Sequence, residues 1–448
     1  MEDFFIKGAQ LILSLSILVV LHELGHFIPA KLFKTKVEKF YLFFDPWFSL
    51  FKFKKGETEY GIGWLPLGGY VKIAGMIDES MDKEQLEKEP EPWEFRSKPA
   101  WQRLIIMVGG VTVNLLLAML IYASTLFVWG ERFLPNENLT DGLWVTDSLA
   151  INLGFKDGDK IVRINEVQIK NFSDITPELI YGGEVEIIRN GRKELLQVPE
   201  NFAEQLIESG RKPMLFMPRT PFKVGEVPDT SKAALGGLKQ GDEIVSINGE
   251  PIKYFDQVKP ILNDNRGNTL PVRIKREGAE QELMLEVYQS GLLGFAPHLY
   301  DLKDMEKAGI YALEVRKYGF FASIPAGINK AVEKLDMYIK QFKLILNPNS
   351  GAYKGIGGFG AIGGMFPSTW DWQIFWEMTA FLSVILAFMN ILPIPALDGG
   401  HVLFLLYEIF TRRKPNEKVL EYAQMAGMLL LLSLLVFANG NDILRLFN

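Results

Sequence analysis

Apolar residues are concentrated in four blocks separated by polar sequence, and this pattern predicts a polytopic membrane protein. The blocks cover residues 8–30, 104–129, 374–397 and 423–438. As a helix, the first block would be about 34 Å long, which is enough to cross a hydrocarbon core of about 30 Å. The region from about 131 to 317 reads as soluble. We therefore expect a mainly α membrane protein with four transmembrane helices and water-exposed domains between the second and third of them.

The soluble region contains an internal repeat. Segment 150–165 (AINLGFKDGDKIVRIN) aligns with segment 233–248 (AALGGLKQGDEIVSIN) at an offset of 83 residues. The shared Gly-Asp-x-Ile-Val-x-Ile-Asn pattern is similar to the strand-turn-strand of the PDZ family. This resemblance implies two tandem PDZ domains of α+β fold, at residues 131–217 and 218–301.

Two functions are open for these domains. They could bind an extended chain terminus by adding it as a strand. Alternatively, they could act as a steric filter that admits only substrates already trimmed outside the membrane. Nothing in the repeat identifies a peptide ligand, which slightly favours the filter.

A second periodic segment runs from Phe320 to Leu346. Its apolar residues recur with helical spacing and charged residues occupy the other face, which predicts an amphipathic helix. The density of charge favours a helix that lies on the membrane surface, within a connecting segment at 302–372. Packing on one of the PDZ domains is the alternative.

Basic residues beside the apolar blocks predict the orientation of the chain, because cytoplasmic flanks are enriched in Lys and Arg. The flanks in question are those after the first block, before the second, and between the third and fourth. Both termini and the soluble region are then expected outside the cytoplasm. The basic residues are Lys31, Lys34, Lys36, Lys39, Lys52, Lys54, Lys55, Arg96, Lys98, Arg103, Arg412, Arg413, Lys414 and Lys418.

Composition bears on the possible partners of the chain and on the kinds of metal site it can form. The chain has 448 residues, a net charge of −6 and no cysteine. The charge gives no argument for a nucleic-acid partner, so we expect none. The absence of cysteine excludes disulfides and thiolate metal sites.

The first apolar block contains His22-Glu23-Leu24-Gly25-His26, an HExxH pattern, and its three ionisable residues are the only ones between residues 8 and 30. Positions i and i+4 share a helix face, so His22 and His26 could bind one Zn²⁺. Glu23 would then act as general base on a water whose pKa zinc lowers to roughly 7. Because a charge at mid-membrane costs about 3 kcal/mol, a functional site is favoured over a chance match.

A catalytic zinc usually has a third protein ligand, and segment 390–401 (NILPIPALDGGH) offers the best candidate. Pro393 and Pro395 break the helix there, and irregular backbone at membrane depth is tolerated where it lines protein or a water-filled cavity. We predict Asp398 as the third ligand. His401 is a competitor, although a supporting role near the site is favoured for it.

With HELGH in the first block and NILPIPALDGGH in a late one, the chain resembles the site-2 protease family of intramembrane zinc metalloproteases, of the regulator-of-sigma-E type. The resemblance extends over nearly the whole chain. It implies Zn²⁺ as cofactor, bound by His22, His26 and Asp398, with Glu23 as the catalytic residue. It also implies a substrate-holding element at Asn390, Pro393 and Pro395.

Residues 59–73 read as β, with glycines at turns and aromatic or branched residues between. The resemblance also implies a membrane-associated β-hairpin or loop, and Gly61–Val71 matches it in place and character. A membrane helix must be unwound before cleavage, and an exposed strand edge could hold the unwound segment. A plain cytoplasmic hairpin is the alternative. The predicted substrate-binding residues of this loop are Gly61, Gly63, Gly68, Gly69 and Tyr70.

The resemblance therefore predicts an intramembrane zinc endopeptidase of the bacterial inner membrane, with both termini and the PDZ domains on the periplasmic side. Its expected partners are membrane lipid and single-pass membrane protein substrates, either an anti-sigma factor or a signal-peptide remnant. A catalytically inactive membrane PDZ adaptor is the alternative. The expected outer divisions of the chain are residues 1–130, with the HExxH helix and β-loop, and residues 373–448, with the Leu-Asp-Gly motif.

Overall fold

The structure is a computed structural model that describes residues 2–76, 89–210 and 214–447. It divides into two compact units. The first, here the helical unit, comprises Met1–Gly130, Lys317–Leu346 and Gly355–Asn448. The second, here the repeat unit, comprises Glu131–Arg316 and Asn347–Lys354.

The described elements are numbered in chain order. The helices are α1 Glu2–Leu32, α2 Ala100–Val128, α3 Ser148–Asn152, α4 Ile175–Leu179, α5 Phe202–Glu208, α6 Lys232–Leu235, α7 Val258–Asp264, α8 Leu302–Lys307, α9 Phe320–Leu346, α10 Phe359–Gly363, α11 Trp372–Ile391, α12 Asp398–Thr411 and α13 Glu417–Phe447. The strands are β1 Val37–Phe44, β2 Phe51–Lys55, β3 Thr58–Ile62, β4 Leu65–Ile73, β5 Glu131–Phe133, β6 Leu143–Val145, β7 Lys160–Ile164, β8 Val167–Gln168, β9 Gly183–Arg189, β10 Arg192–Val198, β11 Phe216–Pro218, β12 Glu243–Ile247, β13 Glu250–Pro251, β14 Thr269–Arg276, β15 Ala279–Glu286 and β16 Glu314–Arg316.

Among the described residues, four helices are long and apolar enough to cross a membrane: α1, α2, α11 and the stretch Lys418–Arg445 of α13. They correspond to the four predicted blocks. The third block was predicted to continue to residue 397, whereas α11 ends at Ile391. The shorter helix follows from Pro393 and Pro395, which lack the N–H that a helix interior requires. A separate helix, α12, then begins at Asp398.

Small residues let α1 and α2 approach closely. A Cβ atom at Gly25 of α1 would lie 2.5 Å from the carbonyl oxygen of Gly109 on α2, so the two backbones meet at this crossing. Glycine contacts of this kind are typical of helix packing in membranes. Gly25 belongs to the HExxH pattern itself, so the crossing places α2 against the predicted metal ligands.

Polar side chains connect α11 to the same pair of helices. The hydroxyl groups of Ser14 and Thr379 lie 3.0 Å apart, which links α1 to α11. The hydroxyl of Ser383 donates to the backbone carbonyl of Asn114 at 2.7 Å, which links α11 to α2. All four residues are buried, so these hydrogen bonds set the register of three helices in an apolar surrounding.

The segment between α1 and α2 forms a four-stranded sheet in the order β2-β3-β1-β4. The predicted hairpin at residues 59–73 is therefore wrong in its pairing, because β3 and β4 both pair with β1 and not with each other. The pairing of β1 with β3 is parallel and that with β4 is antiparallel. The ring of Tyr41 in β1 is nearly fully buried and packs on the bare backbone of Gly61 in β3, which suits this order. As a result, β4 is an edge strand.

The amphipathic helix α9 has the predicted bounds, and its apolar face packs on α2 and α11. Ala331 is fully buried in a cluster with Ala118 and Tyr122 of α2. Farther along, the ring of Tyr338 lies 5.4 Å from that of Phe388 on α11. This part of the apolar face is therefore covered by two other helices of the helical unit. A location at the membrane surface stays a prediction.

The two sequence repeats fold alike. Their sheets have the same strand order, β8-β7-β9-β10 in the first and β13-β12-β14-β15 in the second. A buried ion pair occupies equivalent positions, Arg189 with Asp159 and Arg276 with Asp242, each at 2.7 Å. The repeat unit thus contains two copies of one fold, as the sequence periodicity predicts.

The repeat unit also includes residues beyond the second repeat. Strand β16 pairs with β5, which joins the end of the unit to its beginning. Lys354 contacts Glu208 of α5 at 2.8 Å, which groups residues 347–354 with the same unit. The contacts therefore include residues 302–316 in this unit, whereas the sequence division after residue 301 assigned them to the connecting segment.

The buried ion pair of the first repeat gives a stability prediction. Replacing Arg189 by Leu leaves the carboxylate of Asp159, which is 1% exposed, without its cation. We expect the free energy of unfolding of this repeat to fall by about 3–5 kcal/mol. Hydrogen exchange of β7 and β9 in the full chain measures this change.

The control is Arg163→Leu, which removes a partly exposed pair with Glu184 and should cost less than about 1 kcal/mol. Equal losses of unfolding free energy in Arg189→Leu and Arg163→Leu would contradict the assignment of a stabilising buried ion pair to Arg189 and Asp159.

Candidate metal centre

The structure brings His22, His26 and Asp398 together from two distant parts of the chain. The histidines lie one helical turn apart on α1, and Asp398 is the first residue of α12. The two Nε2 atoms are 3.2 Å apart, and each is 3.3 Å from Oδ2 of Asp398. Among the described residues, this is the cluster of three or more His, Cys, Asp or Glu side chains that could hold a metal ion.

The shape of this cluster fits a zinc ion. Zinc binds His nitrogen and carboxylate oxygen at about 2.0–2.2 Å in tetrahedral geometry, so neighbouring ligand atoms should be about 3.3–3.6 Å apart. The three observed distances form a nearly equilateral triangle of that size. Oδ2 of Asp398 is also a buried acceptor without a well-aligned hydrogen-bond donor among the described residues, as a metal-facing oxygen would be. Three ligands leave a fourth position for water or substrate.

Helix α2 contacts the far side of both imidazoles. Nδ1 of His26 lies 2.8 Å from the carbonyl oxygen of Ile106, and Nδ1 of His22 lies 3.1 Å from the side-chain amide of Asn114. Between them, the bare backbone of Gly110 faces both rings, because a Cβ atom there would collide with them. The α1–α2 crossing therefore fixes which ring nitrogens face Asp398.

The segment between α11 and α12 is held by α13. The side-chain oxygen of Gln424 accepts a hydrogen bond from the backbone N–H of Ala396 at 3.2 Å. Gly427 lies directly against the carbonyl of Pro395, where a Cβ atom would not fit. Ala396 has a φ of 79°, in the left-handed region that non-glycine residues rarely adopt. These contacts hold the irregular segment that carries Asp398.

The three side chains of His22, His26 and Asp398, here called the metal cluster, open into a cavity of about 780 Å³ within the helical unit. Glu23 lines it beside the two histidines and accepts a hydrogen bond from the backbone N–H of Val71. Asn390 also lines it, with its amide nitrogen 3.5 Å from Nε2 of His22. His401 lines the same cavity but is not a member of the metal cluster. Because these polar side chains gather at one part of the cavity, it can hold water next to the histidines and Asp398.

The predicted glycines of the sheet fall into two groups. Gly68 and Gly69 of β4 line the cavity together with Tyr70. Gly61 and Gly63 instead pack on β1, against the ring of Tyr41 and the backbone of Phe44. The structure therefore brings β4 to the metal cluster and leaves the two glycines of the neighbouring segment outside the cavity lining.

The predicted prolines shape the segment next to the cavity and are not among its lining residues. Pro395 packs on Gly400 at the beginning of α12, where a Cβ atom would lie 2.6 Å from the Cα of the proline. Pro393 lies between the end of α11 and this contact. Their position is consistent with a role in holding Asp398, with Asn390 as the member of this motif that faces the cavity.

Two tyrosines next to the cavity keep their protons. Burial raises the pKa of Tyr41 to about 12, and its hydroxyl donates to Glu59 at 2.7 Å. Burial also raises the pKa of Tyr70, and the hydrogen bond that its hydroxyl donates to Asp45 at 2.8 Å adds to this effect. Both phenols therefore act as hydrogen-bond donors at neutral pH, which fixes the end of β4 that lines the cavity.

Three residues at the site had no assigned role from the sequence: Asn114, Gly110 and Gln424. A polar side chain within an apolar span is costly, so the sequence alone could have indicated a role for Asn114. Gly110 did not stand out in this way, because glycine is frequent in membrane helices. The contact of Gln424 depends on a fold that brings α13 to the Asp398 segment, which periodicity alone does not predict.

The comparisons with known proteins agree with this site. The model of peptidase family M50 matches residues 10–434 of the chain. The chain is 29% identical over 468 residues to a Vibrio cholerae protein named "Putative zinc metalloprotease", with all of both chains covered. It is 28% identical over 474 residues to "Regulator of sigma-E protease RseP" of Escherichia coli K12, again with all of both chains covered. A Treponema pallidum "Putative zinc metalloprotease" is 27% identical, with 98% of each chain covered.

The close approach of Gly110 to both imidazoles gives a prediction. In Gly110→Ala, the added methyl group would displace the ring of His22 or His26 from the triangle. We expect the purified variant to lose most of its bound zinc, which elemental analysis measures. Gly8→Ala, on α1, is the matched control, because a Cβ atom at this position would meet no atom within 4 Å. Full zinc content in Gly110→Ala would show that the rings are not held as described.

Proposed function

The chain belongs to peptidase family M50, and we propose that it is an intramembrane zinc endopeptidase that cleaves transmembrane segments of single-pass membrane proteins. The observation that carries this proposal is the triangle of His22, His26 and Asp398, whose first two members lie on a helix long and apolar enough to span a membrane. Neither a surface hydrolase nor a purely structural metal site requires ionisable ligands at that depth.

The proposed catalytic roles follow from the arrangement in the cavity. His22, His26 and Asp398 would hold the zinc, which supplies Lewis-acid polarisation of the scissile carbonyl and lowers the pKa of water. Glu23 is the proposed general base, since it lies in the same cavity beside both histidines. It would take a proton from the attacking water and return it to the amine that leaves. The hydrogen bond from the N–H of Val71 holds its carboxylate in place.

We also propose that β4 holds the substrate. A membrane helix satisfies its amides internally, so the segment to be cut must be unwound before water can attack it. Among the described strands, only β1 pairs with β4, so the other edge of β4 has no strand partner there. Its residues Gly68, Gly69 and Tyr70 line the cavity, so a chain added to this edge would run past the metal cluster. Bare backbone at Gly69 lets this strand lie against Val19 of α1, next to Glu23.

Asn390 is the proposed second contact of the substrate. Its side-chain amide points into the cavity near Nε2 of His22, where an amide N–H can donate to a carbonyl of the extended segment. Pro393 and Pro395 would act through the irregular backbone that separates α11 from α12.

The relatives suggest the kind of substrate. Proteins named regulators of sigma-E protease match this chain over nearly its full length. We propose by analogy that the substrate is an anti-sigma factor already cut outside the membrane, or the remnant of a signal peptide, in regulated intramembrane proteolysis. The two repeat domains would be PDZ domains on the periplasmic side of the bacterial inner membrane. There they would exclude substrates that are still too large.

The alternative of a catalytically inactive membrane adaptor is not favoured. An adaptor does not need a carboxylate beside two histidines in a cavity that reaches the metal cluster. Glu23 occupies that place.

The first test replaces the proposed base. Glu23→Gln should still bind zinc, because Glu23 is not a member of the metal cluster, but cleavage should fall by roughly 10²–10⁴-fold. The assay follows cleavage of a detergent-solubilised transmembrane substrate, with zinc content measured on the same sample. Glu2→Gln, at the exposed start of α1, is the control. Undiminished turnover in Glu23→Gln would end the general-base assignment.

The second test separates the two candidates for the third ligand. Asp398→Asn removes the charged oxygen that faces both histidines, so we expect zinc content to fall strongly. His401→Ala should keep its zinc, because His401 lies in the cavity outside the triangle. The opposite result, with zinc lost only in His401→Ala, would make His401 the third ligand.

A further inference from the structure

The two ring nitrogens of His22 have different surroundings. Nε2 lies 3.3 Å from Asp398 and 3.2 Å from Nε2 of His26, so it is the nitrogen that faces the proposed zinc. Nδ1 points the other way and lies 3.1 Å from the side-chain amide of Asn114 on α2. Asn114 is therefore the partner of the nitrogen that would not bind the metal.

A neutral imidazole carries one N–H, and the nitrogen that binds a metal must offer its lone pair. If Nε2 of His22 faces the metal, the hydrogen must be on Nδ1. That N–H then requires an acceptor, since a buried donor without a partner costs about 1–3 kcal/mol. Asn114 is within hydrogen-bond distance, but its amide nitrogen faces Nδ1 and would offer a second donor.

The oxygen of the same side-chain amide also needs a hydrogen-bond partner. Oδ1 of Asn114 is buried and has no hydrogen-bond donor among the described residues. A half-turn of the amide group exchanges its oxygen and nitrogen without moving the rest of the side chain. The oxygen would then accept from Nδ1 of His22, which satisfies both the buried acceptor and the ring N–H.

The neighbouring ligand has the same arrangement. Nδ1 of His26 lies 2.8 Å from the carbonyl oxygen of Ile106, which is an acceptor in any rotamer. Ile106 and Asn114 both belong to α2. Helix α2 thus offers one acceptor to each histidine, a backbone oxygen in one case and a side-chain oxygen in the other.

We propose that Asn114 is a positioning residue that accepts a hydrogen bond from Nδ1 of His22 and so keeps Nε2 free to bind zinc. This inference rests on the proposed function of the site as a zinc centre. Hydrogen bonds of this kind orient metal-binding histidines and fix the tautomer, and their removal typically weakens metal binding about 10- to 100-fold.

A purely structural role of Asn114 can be distinguished from this one. The helix contact at this position uses the backbone carbonyl of Asn114, which accepts from the hydroxyl of Ser383. That contact survives a change of the side chain. A variant that keeps an acceptor and loses the donor should therefore separate orientation of His22 from packing.

The test compares Asn114→Leu, which has neither donor nor acceptor, with Asn114→Asp, which keeps the acceptor oxygens. Zinc affinity of the full-length purified protein is measured by competition with a chromophoric chelator. The absorption spectrum of bound Co²⁺ reports the ligand geometry. We expect Asn114→Leu to bind zinc about 10- to 100-fold more weakly with an altered cobalt spectrum, and Asn114→Asp to bind at least as tightly as the unaltered protein.

Thr112→Val is the control on the same helix, because its hydroxyl bonds only to the carbonyl of Val108 within α2 and is exposed. Unchanged affinity in Asn114→Leu would overturn the proposal, as would equal weakening in Asn114→Asp. If Asn114→Leu does not fold, Asn114→Asp alone decides, with tight binding in support and weak binding against. Absence of zinc binding in the unaltered protein would instead remove the proposed zinc centre itself.

Discussion

The structure depends on one constraint, which is that three side-chain atoms that could bind a metal ion lie about 3.3 Å apart although they come from segments far apart in sequence. Several neighbouring features bring these three atoms together. Gly25 and Gly109 let α1 and α2 touch, so that α2 can reach the rings of both histidines. The interruption after Ile391 lets Asp398 begin a new helix and point its carboxylate at them. A continuous α11 could not present Asp398 in this way.

Hydrolysis in such a place requires water and an extended substrate, and both conflict with a surrounding of lipid. A cavity of about 780 Å³, lined by polar as well as apolar side chains, bears on the first conflict, because water and charged ligands are stable where protein rather than lipid encloses them. Strand β4 bears on the second, since an edge strand is where the proposed function would place an extended chain. Strand β4 and the metal cluster line the same cavity.

The sequence was informative wherever a residue type was costly in its surroundings. Ionisable residues in an apolar span identified His22, Glu23 and His26, and helical periodicity predicted α9 with the bounds observed. Strand pairing was less accessible: residues 59–73 predicted strands, but not that β1 lies between β3 and β4. Pairing is set by contacts such as that between Tyr41 and Gly61, which depend on the assembled sheet. Similarly, no side-chain pattern identifies the carbonyl of Ile106 as the partner of His26.

Helix α13 shows how a residue remote from the chemistry can still govern it. Within the described residues, the helix is exposed over much of its length, yet two of its residues contact the irregular segment before Asp398. Gln424 fixes the N–H of Ala396 in a conformation that a non-glycine residue adopts only under constraint, and Gly427 gives the carbonyl of Pro395 its space. Without this contact, the segment could relax toward a more ordinary backbone and turn Asp398 away from the histidines. Helix α13 thus supports the proposed metal site, because it holds the irregular backbone that presents Asp398 to the histidines.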